Sequence, residues 1–361
     1  MAKKIFIAFI KSANLINKII LKFLALFFIF GCLGILKAQD IHFSQFYFSP
    51  MNINPALTGV FPQDIRFSGI YRKQWQSVPV PYLTFSGAFD TKIFHKISES
   101  GFFGAGVIFN YDKQGYGSFG GPELQLTQLT LSGSYTQKLN DNNFLTAGLQ
   151  VGTINRAFNV EGLQFENQYN GDIFDPGLPN REAFDQTSLT FLDYSTGLNW
   201  HLQTDAGLSI NAGIGLFHLS QPKQNFYNQT ESKLPMRYSI NLNGSAPLNP
   251  LWNIHFVVLF QKQGVYNESI GGAAIEYKLN EKRGKELSLQ LGTNYRYADE
   301  SDAVIPTFGV QYLSWQFGIS YDINISQFEA ATNGQGGPEI ALVYTITKVK
   351  PPKTFKACPI F

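Results

Sequence analysis

The sequence predicts an all-β protein, a transmembrane antiparallel β-barrel of about fourteen strands preceded by an N-terminal signal peptide. Three observations carry this. Of 361 residues, 44% are hydrophobic and 15% aromatic, yet only 15% are charged, against about 25% in an ordinary soluble domain. Beyond residue 38 no apolar run reaches the ~18 residues that a spanning helix needs. Instead apolar and polar residues alternate with a period of two, in segments of roughly ten residues, the length of a tilted membrane strand. The formal charge of +2 argues neither way about nucleic acid, and none is expected as a partner.

Residues 1–38 read as a secretion address. Lys3, Lys4, Lys11 and Lys18 precede an apolar run from Ile19 to Leu36, and Leu36-Lys37-Ala38 ends in the small residue that a signal peptidase requires. Cleavage there leaves Gln39 first. The alternatives are a retained anchor, since the run is near spanning length, and a lipidated Cys32, for which Phe30 is too bulky in the cleavage box. With the leader removed Cys358 is the one cysteine, so no internal disulfide forms.

Residues 39–62 form an N-terminal segment. Phe43, Phe46 and Phe48 give it apolar weight, but Pro50 and Pro55 interrupt it, and Asn54-Pro55 and Thr58-Gly59 are turn chemistry. Neither a long helix nor a central strand suits such a stretch. It needs a surface, and in a barrel that surface is the lumen or the periplasmic rim.

Residues 63–347 are the barrel. Ile65, Phe67, Gly69, Tyr71 and Trp75 share one face of the first strand, while Asp64, Arg66, Ser68, Arg72 and Gln74 share the other. The period recurs in 83–89, 103–111, 129–135, 145–151, 192–200 and 206–216. It continues in 238–242, 252–260, 271–277, 287–297, 308–312, 315–323 and 340–346. A soluble β-sandwich also alternates. Two features separate the cases: Trp, Tyr and Phe gather near strand ends as interfacial girdles do, and connection lengths segregate. With the N-terminus periplasmic, 138–142, 202–205, 246–251 and 313–314 are short. On the other side 113–122, 156–188, 218–233 and 324–337 are mostly long. The basic tail, residues 348–361, holds Lys348, Lys350, Lys353 and Lys356 with Pro351-Pro352, and can be inert, dock a periplasmic partner or close the lower mouth.

Chemistry-bearing constellations are few. Gly115-Tyr116-Gly117-Ser118-Phe119-Gly120 matches the dinucleotide fingerprint in letters, but no helix follows to receive a phosphate. His42, His95, His201, His218 and His255 are scattered without metal-ligand spacing, so no metal and no cofactor is expected. A rim lipase would need a Ser–His pair with an orienting acid, and no such trio is identifiable from spacing. No catalytic residue is assigned, and the protein is expected not to be an enzyme. Acids in the longest loop (Glu161, Glu166, Asp172, Asp175, Glu182, Asp185) and at Asp299, Glu300 and Asp302 are either solvated loop charges or an acidic mouth. Arg72, inside the barrel, should meet an acid or carbonyls, with Asp64, Asp90 and the N-terminal segment as candidates.

The run Gln39-Asp40-x-His42-Phe43-Ser44-Gln45-Phe46-Tyr47, then Pro50, Asn54-Pro55-Ala56 and Gly59, resembles the N-terminal signature of the PorP/SprF family of Bacteroidota. Tyr71-Arg72-Lys73-Gln74-Trp75 resembles that family's first-strand element, and His218-Leu219-Ser220-Gln221-Pro222 its mid-chain element. Asp322, Glu339 in Gly336-Gly337-Pro338-Glu339-Ile340, and Cys358-Pro359 resemble its closing elements. The resemblance spans the whole chain after residue 38, departing in the length and acidity of 156–188. It implies an outer-membrane component of type IX secretion and gliding motility. Such a component helps place large adhesins, through their C-terminal domain, on the cell surface and links to periplasmic peptidoglycan-associated proteins. The competing expectation is a passive porin or small-hydrophobe transporter, which needs an open lined path through the lumen.

Overall fold

The computed structural model describes residues 40–75, 81–93, 100–115, 123–159, 165–175, 177–179, 186–224, 226, 233–298, 302–326 and 329–347. The expected signal peptide and basic tail lie outside the described residues. Fourteen strands follow one another around a closed barrel, each antiparallel to its neighbours in sequence and the first paired with the last. They are β1 (Ile65–Gln74), β2 (Tyr82–Ile93), β3 (Gly101–Gln114), β4 (Glu123–Lys138), β5 (Asn143–Asn159), β6 (Ser188–Gln203) and β7 (Ser209–Phe217). Then come β8 (Arg237–Asn249), β9 (Trp252–Gln263), β10 (Tyr266–Asn280), β11 (Leu287–Ala298), β12 (Ala303–Tyr312), β13 (Trp315–Asn324) and β14 (Gln335–Ile346). One short helix, α1 (Glu329–Thr332), precedes β14. Closure leaves no sheet edge, which is what a strand-built structure needs in lipid.

The alternation decides which side is which. Leu131, Leu149, Leu198 and Leu291 point outward and are 60, 68, 58 and 70% exposed, whereas Thr130, Ser132, Gln150 and Asn199 are buried inside. A water-soluble barrel would reverse that arrangement. At the rim where β1 begins and β14 ends, Trp252 meets Tyr277 at 4.5 Å and Trp315 meets Tyr344 at 4.3 Å, as a girdle at the interface. The same rim carries the short connections 139–142, 204–208, 250–251, 281–286 and 313–314 and is therefore the periplasmic one. Two outer connections depart from the expected length difference, 299–302 between β11 and β12 and 264–265 between β9 and β10. Gly264-Val265 joins β9 to β10 directly, with Gly264 at φ 59° supplying the left-handed turn.

Some boundaries also differ from the sequence expectation. β7 starts at Ser209 instead of Ala206, because Gly207 closes a turn by donating to the Thr204 carbonyl at 3.0 Å. β8 runs on to Asn249, with its register shifting after Pro247, which has no N–H to donate. β1 ends at Gln74, since Trp75 turns out of the strand at φ 56° and stands edge-on to Tyr82 at 5.1 Å.

Candidate functional site

The lumen is not empty. Residues 40–59 run down it from the outer end, in three 3-10 turns at Phe46–Phe48, Pro50–Asn52 and Pro55–Leu57. Proline opens the second and third turns, where its missing N–H costs nothing and its fixed φ suits the start of a helix. Asn54 caps the third by accepting from the Ala56 N–H at 2.9 Å. Short turns make the segment compact enough to fill a bore with side chains on all sides.

Its upper end rests on a buried charge cluster. The Ser44 and Gln45 N–H groups donate to the two oxygens of Glu339 at 2.8 and 2.6 Å. Ser44 Oγ donates to Asp322 at 2.7 Å and accepts from Arg296 at 3.1 Å. Arg72 and Arg296 reach Asp322 at 2.7 and 2.8 Å, and Arg72 also donates to the His42 carbonyl at 2.9 Å. Arg72, Arg296, Asp322 and Glu339 are each at most 2% exposed, so every charge needs its partner here. The expected partners Asp64 and Asp90 are not those of Arg72. Both lie toward the periplasmic end of β1 and β2, where Asp90 sits opposite Arg66 in the register and pairs with it at 2.7 Å.

A second polar node anchors Asp40. His218, one residue past β7 at φ 59°, donates from Nε2 to Asp40 at 2.8 Å and from Nδ1 to Asp193 at 3.0 Å. Burial opposes a proton on His218, but the two flanking carboxylates outweigh it and raise its pKa. Burial likewise opposes the Asp40 charge, and Arg237 and His218 overcome it, holding the carboxyl well below its usual range. His42 is driven neutral by burial together with Arg72 and Arg296. Arg237 also donates to the Asn52 carbonyl at 3.0 Å, fixing a second point of the segment.

Lower down, Asn52 bonds Ser86 and Asn110, Gln150 donates to the Met51 carbonyl at 3.0 Å, and Asn54 reaches the Leu198 carbonyl and Asn241. Thr58 meets Ser132 and Ser134, and the Gly59 N–H, at φ 71°, donates to Asp90 at 2.7 Å. Phe43 packs with Phe48, Ile70, Ala341 and Val343, and Phe46 with Ile53, Leu259 and Ile270. Tyr47 lies beside Thr307 of β12, and β7 meets Asn54 through Gly213. The segment thus touches all fourteen strands.

The structure brings Phe43, Ser44, Gln45, Phe46, Pro50, Asn54, Pro55, Gly59, Arg72, Asp322, Glu339 and His218 into one assembly. Gln74 is buried on the lumen face above Arg72, and Trp75 stands at the outer rim. Pro222 lies apart, its carbonyl accepting from Leu234 in the outer loop at 2.9 Å. Cys358 and Pro359 lie outside the described residues. Arg237, Arg296 and Asp193 went unremarked in the sequence, although each falls on the polar parity of its strand. So did glycines at which any side chain would collide with the segment: Gly148 against Pro55-Ala56, Gly197 against Asn54, and Gly215 against Ile53.

The sequence profile described as type IX secretion system membrane protein PorP/SprF matches residues 35–344. The chain belongs to the PorP/SprF family. As a member, it is an outer-membrane β-barrel of the type IX secretion machinery. No curated protein matches it. Among solved structures it is similar to the CymD monoaromatic hydrocarbon channel (12% identity, TM-score 0.47, covering 87% of this chain and 96% of that one). It is likewise similar to the Pseudomonas putida toluene transporter TodX (13%, TM-score 0.47, 82% and 92%). Similarity extends to BamA from Haemophilus ducreyi lacking POTRA domains 1–3 (10%, TM-score 0.42, 79% and 71%). For this PorP/SprF barrel those likenesses concern the fold.

Proposed function

We propose that this PorP/SprF barrel is a closed, non-enzymatic docking component of type IX secretion and gliding. It helps secrete or anchor a large surface adhesin through the adhesin's C-terminal domain, which the long outer loops hold. On the other side it links to a peptidoglycan-associated periplasmic protein. The observation that carries this reading is the lumen segment in contact with all fourteen strands, which suits a rigid dock and not a passage for solutes. A conducting porin would keep a continuous wet path instead.

The test is deletion of the gene followed by surface proteomics. Loss of one or a few large adhesins from the surface is expected, together with loss of co-purifying periplasmic proteins. An unchanged surface and unchanged co-purification would sink the proposal. Planar-bilayer recordings address the porin alternative: purified protein should stay closed, and steady nanosiemens-scale channels would favour conduction.

A further inference from the structure

Below the segment, the periplasmic half of the lumen is open. It holds a cavity of about 760 Å³ whose ceiling is Tyr47, Phe48 and Pro50 of the segment itself. That volume falls within the roughly 300–1,000 Å³ of ligand pockets. The ceiling makes the cavity blind, so whatever enters comes from the periplasm and ends against the segment.

Its walls have a specific chemistry. Gln203, Asn243, Gln290, Gln311 and Gln316, on five different strands, face it, and none has a side-chain hydrogen bond among the described residues. Elsewhere in the lumen carboxamides such as Gln150, Asn110, Asn241 and Asn294 are used on the segment. Each carboxamide offers donors and an acceptor, the complement of a peptide group. Phe61 and Phe102 flank Lys92, with its Nζ 5.4 and 5.2 Å from the two ring centroids. Nζ is also 3.3 Å from the Pro62 carbonyl, and no carboxylate of the described residues forms an ion pair with it. On the far wall the one acid, Glu276, is already engaged by His255 at 2.8 Å and Asn253 at 3.0 Å. A small anion would use Lys92 and leave the carboxamides unused. A neutral glycan would do the opposite.

We infer that the vestibule is a receptor for an extended polypeptide segment bearing an acidic side chain, presented by a protein on the periplasmic side. The carboxamides take its backbone, the phenylalanines its apolar side chains, and Lys92 its carboxylate. Because the ceiling belongs to residues 47–50, a seated segment touches the same element that the outer cluster clamps. This inference rests on the reading that the barrel works with a periplasmic protein, and it names where and by what chemistry.

The experiment places the photo-crosslinker p-benzoylphenylalanine at Gln290 or Gln316 of the full chain in living cells, with lipid-facing Leu291 as control. Adducts are sequenced by mass spectrometry. Expected is one acid-bearing polypeptide segment from both vestibule positions, none at Leu291, and competition by a synthetic peptide of that segment. Lys92→Glu should lower the yield by at least about tenfold, while Lys92→Arg retains it. Heat-modifiable gel migration reports folding, and Lys92→Gln replaces Lys92→Glu if the latter fails to fold. No adduct, an adduct to glycan, an adduct to residues 348–361 of the same chain, or a yield indifferent to Lys92 each overturns the inference. Loss of surface adhesins on deletion, with no vestibule adduct, would leave the docking reading standing and remove this one alone.

Discussion

The outer and inner halves of the lumen are lined by the same strands at the same parity, yet they use their polar groups differently. In the outer half Arg72, Arg296, Asp322, Glu339, Asp40 and His218 are matched with one another and with the backbone of residues 40–45. In the inner half a set of carboxamides makes no side-chain bond among the described residues, and the Lys92 ammonium, held by the Pro62 carbonyl and two aromatic rings, faces a cavity without an ion-paired carboxylate. Burial without water obliges pairing, whereas access to solvent does not. The difference separates a structural lock from an available surface.

The largest test of this contrast is Asp322→Ala, which strands two buried guanidinium groups. Stability should fall by about 3–5 kcal/mol, read by urea unfolding of the purified barrel. A loss below about 1 kcal/mol would mean the outer half is wetter than its burial indicates. Next, Gly197→Val pushes a side chain into Asn54 and should cost about 1–3 kcal/mol. It should also loosen residues 52–58, detected as faster hydrogen exchange and as brief openings in bilayers where the unaltered protein stays shut.

A smaller effect is expected from pH. The raised pKa of His218 contributes stability fully present below its ordinary value of 6.5 and lost as pH rises through the higher folded value. The depressed Asp40 contributes stability present above 3.8 and lost as pH falls through its lower folded value. Protection of residues 40–42 should therefore be greatest between those two pH values and decline on the alkaline side, and His218→Gln should remove the alkaline decline. The smallest effect belongs to the inner half. Gln290→Ala and Gln316→Ala should each change stability by no more than about 0.5 kcal/mol, because no bond within the chain is lost.

The fold was legible because alternation is a direct consequence of lipid on one side and a polar bore on the other. It placed fourteen strands and assigned their faces. Strand ends were less legible: Gly207 and Pro247 act through turn geometry and a missing donor, which a count of alternating residues does not register. At the site, Phe43 to Gly59 stood out by proline, asparagine and aromatic content. The identity of Arg72's partner did not, because Asp322 is 250 residues away in sequence and becomes its neighbour only when β1 meets β14. Gly148, Gly197 and Gly215 were invisible for a related reason. In an isolated strand a glycine looks like weak propensity, and its use appears only when another backbone lies against it.

The path of residues 40–62 has a consequence for biogenesis. Asp40 sits near the outer mouth, and the chain descends the full bore before β1 begins at the inner rim. The β1–β14 seam is hydrogen-bonded from Ile65–Ile346 to Arg72–Glu339, and the two residues at its upper limit are the ones that grip His42, Ser44 and Gln45. A hoop already shut would have to be threaded lengthwise by a bulky, aromatic strand of chain. Zipping the first strand to the last over a core already seated is the order of assembly that avoids such threading.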